Sequence, residues 1–348
     1  AGASRCSPAA AARWPSGSGA WRSERAGSSQ SVHVPPGAVF PRALPATRST
    51  PAACSTIPRS RAACSRSSSA AACATAGLLV GATLGELQKL YDSLDRDLIE
   101  ARKLQQTLMR ERVRDFGRAS ATILMRPSGH VGGDLAGFFE ISARRIAVFS
   151  IDVSGHGVAS AMMTARLAGM LSGALPDQNI ALTGGVDGNR GAWPPEMVAW
   201  RFNRLMLDDM QVEQYFTMAY AEIDLQTGKT MLVQAGHPHP VLMRRDGRVE
   251  PVGNGGMPIG LIPGVTFERV ELQLHPGDRL FLVSDGVTEC PDAQNHELGA
   301  EGLNDFLRAN VDLEPAALLD ALVWHLSART DTPDFPDDVS GVLLHYRG

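Results

Sequence analysis

The chain has 348 residues, a length that suits two domains. Its formal net charge of -4 is unevenly spread, because residues 1–76 hold nine Arg and a single acid, Glu24, leaving a strongly acidic remainder. An acidic body excludes a general nucleic-acid binder, which needs a Lys/Arg surface against phosphates, and no run of about 20 apolar residues is present to span a membrane.

Residues 1–76 are rich in Ala, Ser, Arg and Pro and show no sustained period. Such a tract buries too little apolar surface to fold, so disorder is expected. The same Arg-rich, acid-poor composition describes an organelle transit peptide, and sequence upstream of the true start is a third reading. Four of the five cysteines (Cys6, Cys54, Cys64, Cys73) lie here at spacings unlike zinc sites, and Cys290 stands alone. This is no disulfide framework, so a reducing compartment is expected. The chain reads as cytoplasmic, with organelle targeting by residues 1–76 as the alternative.

From Leu84 a heptad pattern begins. Leu84, Leu87, Tyr91, Leu94, Leu98, Ala101, Gln105 and Leu108 alternate three and four residues apart, with mostly charged or polar residues between. This seam predicts a helix over 84–108 that pairs with a second copy as a homodimeric coiled coil; the alternative is an amphipathic helix lying on its own domain. Residues 77–115 read as linker and signalling helix, and residues 116–348 as the folded domain.

The folded region opens with a strand over Ala121–Met125, a turn at Pro127–Gly129, then Gly132-Gly133-Asp134 and a second strand over Phe138–Ile141. A turn at Ser142–Arg144 leads into Arg145–Asp152, an apolar run with β-branched and aromatic members that reads as a buried strand. That strand ends on the carboxylate of Asp152. Two glycines follow, and Val158–Leu171 reads as a helix. Gly is used where backbone takes unusual dihedrals or meets a ligand closely. Leu175–Pro195 reads as a surface loop, and Glu196–Met210 as a helix with Val198, Phe202, Leu205 and Met206 on one face. Strands follow over Tyr215–Asp224, Thr230–Gln234, Val241–Arg244, Phe267–Leu274 and Arg279–Ser284. A helix-rich stretch spans Ala300–Arg329, and Val339–Tyr346 forms a final strand. Many strands joined by hairpins, with helices in two blocks, predict an α+β sandwich rather than a parallel βαβ sheet.

Four acidic positions stand out at strand ends or beside glycine: Asp134, Asp152, Asp285 and Asp337, the last followed by Asp338. Carboxylates gathered at strand ends repel one another unless a cation lies between them. An oxygen-only ligand set favours Mg or Mn over zinc. Two such ions can activate water and polarise a phosphoryl oxygen. Arg126 is a candidate substrate-binding residue that could meet a phosphate by charge-assisted bonds. His237 and His239 read as braces of a loop between strands, and His156 as either a structural or a site residue.

The segments Gly132-Gly133-Asp134, Asp152-Val153-Ser154-Gly155-His156-Gly157, Ala235-Gly236-His237-Pro238-His239-Pro240, Ser284-Asp285-Gly286 and Asp337-Asp338-Val339-Ser340 occur in an order that resembles the SpoIIE/RsbU-like serine phosphatases. These belong to the metal-dependent PPM (type 2C) protein phosphatases. The resemblance covers roughly Leu98–Tyr346. It implies a PPM-type β-sandwich of two antiparallel sheets flanked by helices, with two Mn or Mg ions at one end. It further implies that Asp152 bridges both ions and the Val153 carbonyl binds one. Asp285 and Asp337 would bind the other, and Asp134 would contribute directly or through water. The implied reaction is attack of a metal-bridging hydroxide on a phosphoserine or phosphothreonine protein. In this family that partner is typically a STAS-type anti-sigma-factor antagonist.

The sequence departs from the family pattern at four places. Gly137 stands where a second acid usually follows the Gly-Gly-Asp aspartate, Gln234 replaces an Asn, Ser340 replaces a Thr, and Met109-Arg110 follow Leu108 where the family's helix often ends in Pro. Retention of the four aspartates favours an active enzyme. Gly137 keeps open the alternative of a weak or inactive signalling scaffold that binds the same partner, and residues 1–76 that of an organelle-targeted phosphatase.

Overall fold

Two antiparallel sheets stack face to face, and the order of their strands brings the distant aspartates to one end. The first sheet runs β1 (Val113–Asp115), β2 (Ala119–Arg126), β13 (Val339–Tyr346), β12 (Arg279–Val283), β9 (Val241–Met243) and β10 (Val249–Pro251). The second runs β11 (Arg269–Gln273), β8 (Lys229–Ala235), β7 (Phe216–Asp224), β4 (Arg145–Val153) and β3 (Asp134–Ser142). A minor two-stranded sheet pairs β5 (Leu182–Thr183) with β6 (Gly191–Ala192). The helices are α1 (Val158–Met170), α2 (Pro195–Arg204, continued by a π-helical turn Leu205–Met210), the short α3 (Asp285–Thr288), α4 (Gly299–Ala309) and α5 (Pro315–Arg329). This computed structural model describes residues 85–93, 96, 99–100, 103, 111–129, 131–155, 157–184, 191–210, 214–330 and 334–348. All of these fall in one compact unit, Ala70–Gly348.

Alternation along the strands sorts side chains into three apolar layers. Odd-numbered β4 residues Ala147, Phe149 and Ile151 face α1 and α2, in one layer with Leu167 and Phe202 of those helices and Tyr220 of β7. Even-numbered Ile146 and Val148 face the other sheet and pack with Leu280, Leu282 and Val342. On the far side, Phe281, Val283 and Leu343 meet Leu307, Leu322 and Leu326 of α4 and α5. Inner strands are therefore buried on both faces, and β12 reads as the unbroken run Arg-Leu-Phe-Leu-Val. The edge strand β11 instead alternates exposed and half-buried residues. It carries charges such as Arg269 and Glu271, which discourage edge pairing. Each fully buried Leu, Ile or Phe contributes roughly 1.5–3 kcal/mol, a reserve against which a costly carboxylate cluster can be held.

Most sequence-expected elements are present within a residue or two. The 175–195 segment is not a plain surface loop. It holds a 3-10 turn (Pro176–Gln178) and the β5–β6 ribbon, and Ala181 and Leu182 are buried under the first apolar layer. The strands β1 and β10 were not expected. In the heptad segment, residues 85–93 are helical and exposed, Leu87 and Tyr91 included. The expected disordered tract 1–76 and most of the remaining seam lie outside the described residues.

Candidate metal centre

Strand register places Asp134 directly opposite Asp152 on the β3–β4 ladder, and Asp152 opposite Thr217 on β7. In the other sheet, Val283 pairs with Gly341 and Val339 with Arg126. The ends of β12 and β2 and the start of β13 therefore gather Asp285, Arg126 and the Asp337–Asp338 pair. The two sheets meet at this end through a bond from the Asp134 backbone N–H to Asp338 Oδ2, 3.3 Å long.

Close backbone approach explains the glycines here. A Cβ on Gly286 would overlap the carbonyl oxygen of Asp338. That contact lets the Ser284–Asp285 turn press against the start of β13, where Ser284 Oγ donates to Asp338 O at 3.2 Å and accepts the Ser340 N–H at 3.0 Å. Gly155, with φ 84°, makes the sharp bend after Asp152 that delivers the chain into α1. The Ser154 N–H donates to Tyr215 O at 2.9 Å and Ser154 Oγ accepts the Tyr215 N–H at 3.0 Å, pinning this turn to the entry of β7.

The electrostatics follow from this crowding. Burial, then the charges of Asp152 and Asp338, hold the Asp134 carboxyl well above the ordinary carboxylate range. Burial, then Asp285 and Asp337, push Asp152 up to about 7. Asp285 is raised by burial and by Asp337. Glu289, one turn further along, is raised by burial and by Asp285. Asp134 is only 2% exposed, and among the described residues its Oδ2 has no hydrogen-bond partner. A buried, unpartnered carboxylate oxygen among like charges is an unfavourable arrangement that a cation relieves.

Asp152, Val153 and Asp337 line a cleft of about 630 Å³, bounded also by Ser128, Ser154 and Gly155. A side chain at Gly133 would reach within 2.9 Å of the Val153 carbonyl oxygen; glycine leaves that oxygen room. Among the described residues no three His, Cys, Asp or Glu side chains form a ready cage. The donor set is carboxylate and carbonyl oxygens around open space. It fits Mg- or Mn-type ions that retain several waters, and it does not suit zinc.

Of the other sequence candidates, Arg126 is half-buried at the end of β2, its Nη1 donating to Met125 O at 3.1 Å. His237 is buried, with Nδ1 2.9 Å from Thr217 Oγ1, and burial lowers it to about 3, so it is neutral near pH 7. Gln234 Nε2 donates to His237 O at 2.6 Å and Gln234 Oε1 accepts the Gly255 N–H at 2.7 Å, so position 234 ties two loops together. His239 is exposed on the same loop, and His156 lies outside the described residues. Gly137 points away from the cluster. Three residues along β3 from Asp134, its Cβ would face the helix-side layer and come within 2.5 Å of the Phe149 ring. Sequence reasoning named Asp338 only beside Asp337 and gave it no role of its own. It is 5% exposed whereas Asp337 is exposed, and its carboxylate accepts the Ser128 N–H at 2.8 Å and the Ser128 hydroxyl at 3.0 Å.

The family model described as Stage II sporulation protein E (SpoIIE) matches residues 142–347, more than half of the chain. Phosphoserine phosphatase RsbP of Bacillus subtilis (strain 168) is 26% identical over 257 residues, covering 72% of this chain and 58% of that protein. The chain thus spans less than two thirds of that relative's length. In structure it is similar to the SiaA-PP2C domain of Pseudomonas aeruginosa, with a TM-score of 0.60 and 21% identity over 73% of this chain and 97% of that one. It is similar also to the PP2C phosphatase domain, with a fragment of the regulatory domain, of SpoIIE from Bacillus subtilis, with a TM-score of 0.53 and 23% identity over 66% of this chain and 63% of that one. At these identities the structural likeness carries the fold: a PP2C-type sandwich.

Proposed function

The chain belongs to the SpoIIE family, and from that premise we propose that it is a metal-dependent protein phosphatase that hydrolyses phosphoserine or phosphothreonine on a signalling partner. The observation that carries the reading is the crowding of Asp134, Asp152, Asp285 and Asp337, brought from separate strand ends near enough for their charges to act on one another, with Asp152 and Asp337 lining one cleft. Asp152 and the Val153 carbonyl would hold one divalent ion. Asp285 and Asp337, with Asp152 shared, would hold a second. Asp134 would support the pair from beneath, directly or through water. When bound, such ions lower the pKa of water and offset charge on phosphoryl oxygens.

The chain's own residues supply the rest. Arg126 would orient the phosphoryl group by charge-assisted bonds from the end of β2. The two hydroxyls lining the cleft are engaged, Ser128 Oγ with Asp338 and Ser154 Oγ with Tyr215. The reading takes water as the nucleophile, with no phosphoenzyme. The scaffold alternative leans on Gly137, which faces the Phe149 ring and not the cluster.

The expected substrate is a phosphorylated STAS-domain protein, an anti-sigma-factor antagonist. The chain acts as a homodimer joined through the heptad segment 84–108, in the cytoplasm. Support for the pairing is the exposure of Leu87 and Tyr91 on the helical 85–93 segment. Among the described residues no helix is long and apolar enough to cross a membrane. The test is phosphate release from a phosphoserine STAS protein beside a phosphotyrosine peptide, with Mn2+ and with chelator. Mn2+-dependent release from the first alone supports the reading; release that ignores chelator, or favours phosphotyrosine, overturns it.

A further inference from the structure

We propose that Asp338 is a positioning residue that sets the spacing of the metal-holding carboxylates, an inference that rests on the metal-centre reading above. Its side chain and its backbone hold two different segments. The carboxylate accepts two bonds from Ser128 and one from the Asp134 N–H, so it fastens both ends of the 128–134 loop that carries Asp134. Its carbonyl accepts the Ser284 hydroxyl, fastening the turn that carries Asp285. Asp337 precedes it in sequence, and the Asp338 N–H donates to Asp337 Oδ1 at 2.7 Å. One residue thereby indexes Asp134, Asp285 and Asp337 against each other, while β3–β4 pairing indexes Asp134 against Asp152.

The loop is shaped around this carboxylate. A Cβ on Gly132 would overlap Asp338 Oδ2. Among the described residues Asp338 has no ion-pair partner, so a nearly buried carboxylate is satisfied there by hydrogen-bond donors alone. Every group it meets through its oxygens is a donor, which an acceptor-only side chain suits and an amide suits only in part. Partners behind a metal's own ligands orient those ligands and tune affinity.

The experiment is Mn2+ titration of the full chain by calorimetry, with metal-free melting curves, for the parent, Asp338→Ala, Asp338→Asn and Gly132→Ala. Asp338→Ala is expected to weaken Mn2+ binding about tenfold or more. Asp338→Asn should recover part of that loss, because its one oxygen still accepts from Ser128. Gly132→Ala, which removes no carboxylate but displaces that of Asp338, should weaken binding in the same direction, and it carries the test if Asp338→Ala does not fold. A merely structural residue would lower the melting temperature and leave the Mn2+ affinity of the folded fraction unchanged. Folded Asp338→Ala binding Mn2+ within about twofold of the parent, or, if that variant does not fold, Gly132→Ala binding at parental affinity, overturns the proposal. A parent that binds no Mn2+ overturns the metal-centre reading, and this inference with it.

Discussion

Asp134 and Asp152 face each other at paired positions of the β3–β4 ladder, and the Oδ2 of Asp134 lies buried there without a hydrogen-bond partner among the described residues. Directly opposed like charges in an antiparallel pair oppose folding. The arrangement persists because three apolar layers hold both strands in register. Asp152→Asn should therefore act in opposite directions on two quantities. The metal-free protein should become more stable, by on the order of 1 kcal/mol. The rise in melting temperature that Mn2+ gives the parent should largely vanish. Melting curves with and without Mn2+ check both at once.

A second prediction concerns the acid that the sequence lacks at position 137. Installing it by Gly137→Asp should not raise turnover. The new carboxylate would enter the helix-side layer against Phe149. It should destabilise the fold by roughly 2 kcal/mol or more, through overpacking and burial of an unsatisfied carboxylate. Denaturant unfolding beside a turnover assay separates the two statements.

Glu222 supplies a pH prediction away from the metal centre. Burial, opposed by Arg145 at 3.6 Å and reinforced by Glu196, raises its carboxyl from 4.5 to about 7, and its Oε1 has no partner. The folded state therefore holds this proton more tightly than the unfolded state. The resulting stabilisation is fully present below pH 4.5 and is lost as pH rises through about 7. Glu222→Gln should flatten this part of the pH dependence. Relative to the parent it should gain roughly 2 kcal/mol between pH 5 and pH 8. Unfolding free energies of parent and variant across that range provide the check.

The heptad seam over residues 84–108 predicts self-association. Tyr91 is 73% exposed on the described helical segment, an unfavourable setting for a large ring unless it is covered by a partner. Tyr91→Glu should shift the sedimentation of the full chain from dimer toward monomer and leave the melting of the sandwich unchanged.

Much of this architecture was legible in the residues. β4, β12 and β13 are apolar runs bounded by turn residues, and their ends carry the aspartates, so the strand ends and the candidate ligands came into view together. The short strands β1 and β10 were not legible. Val-Arg-Asp and Val-Glu-Pro hold too few apolar residues to declare a strand, and only pairing with β2 and β9 makes them one. The distinct roles of Asp337 and Asp338 were hidden for a similar reason. Neighbours in an extended chain point opposite ways, and which one turns inward is decided by Ser128 and Asp134, some two hundred residues away. The orientation of Gly137 could have been found. Period-two alternation places it on the face opposite Asp134 once β3 is taken to begin at that aspartate.

The measurement that bears most directly on the central claim is phosphate release by the full chain from a phosphoserine peptide. It would be run with Mn2+, with chelator, and with Asp285→Asn beside the parent. The account predicts turnover that needs Mn2+, disappears with chelator, and falls by about a thousandfold or more in Asp285→Asn, as expected when a group acting on the reacting centre is removed. Turnover that persists in chelator, or survives intact in Asp285→Asn, would contradict it.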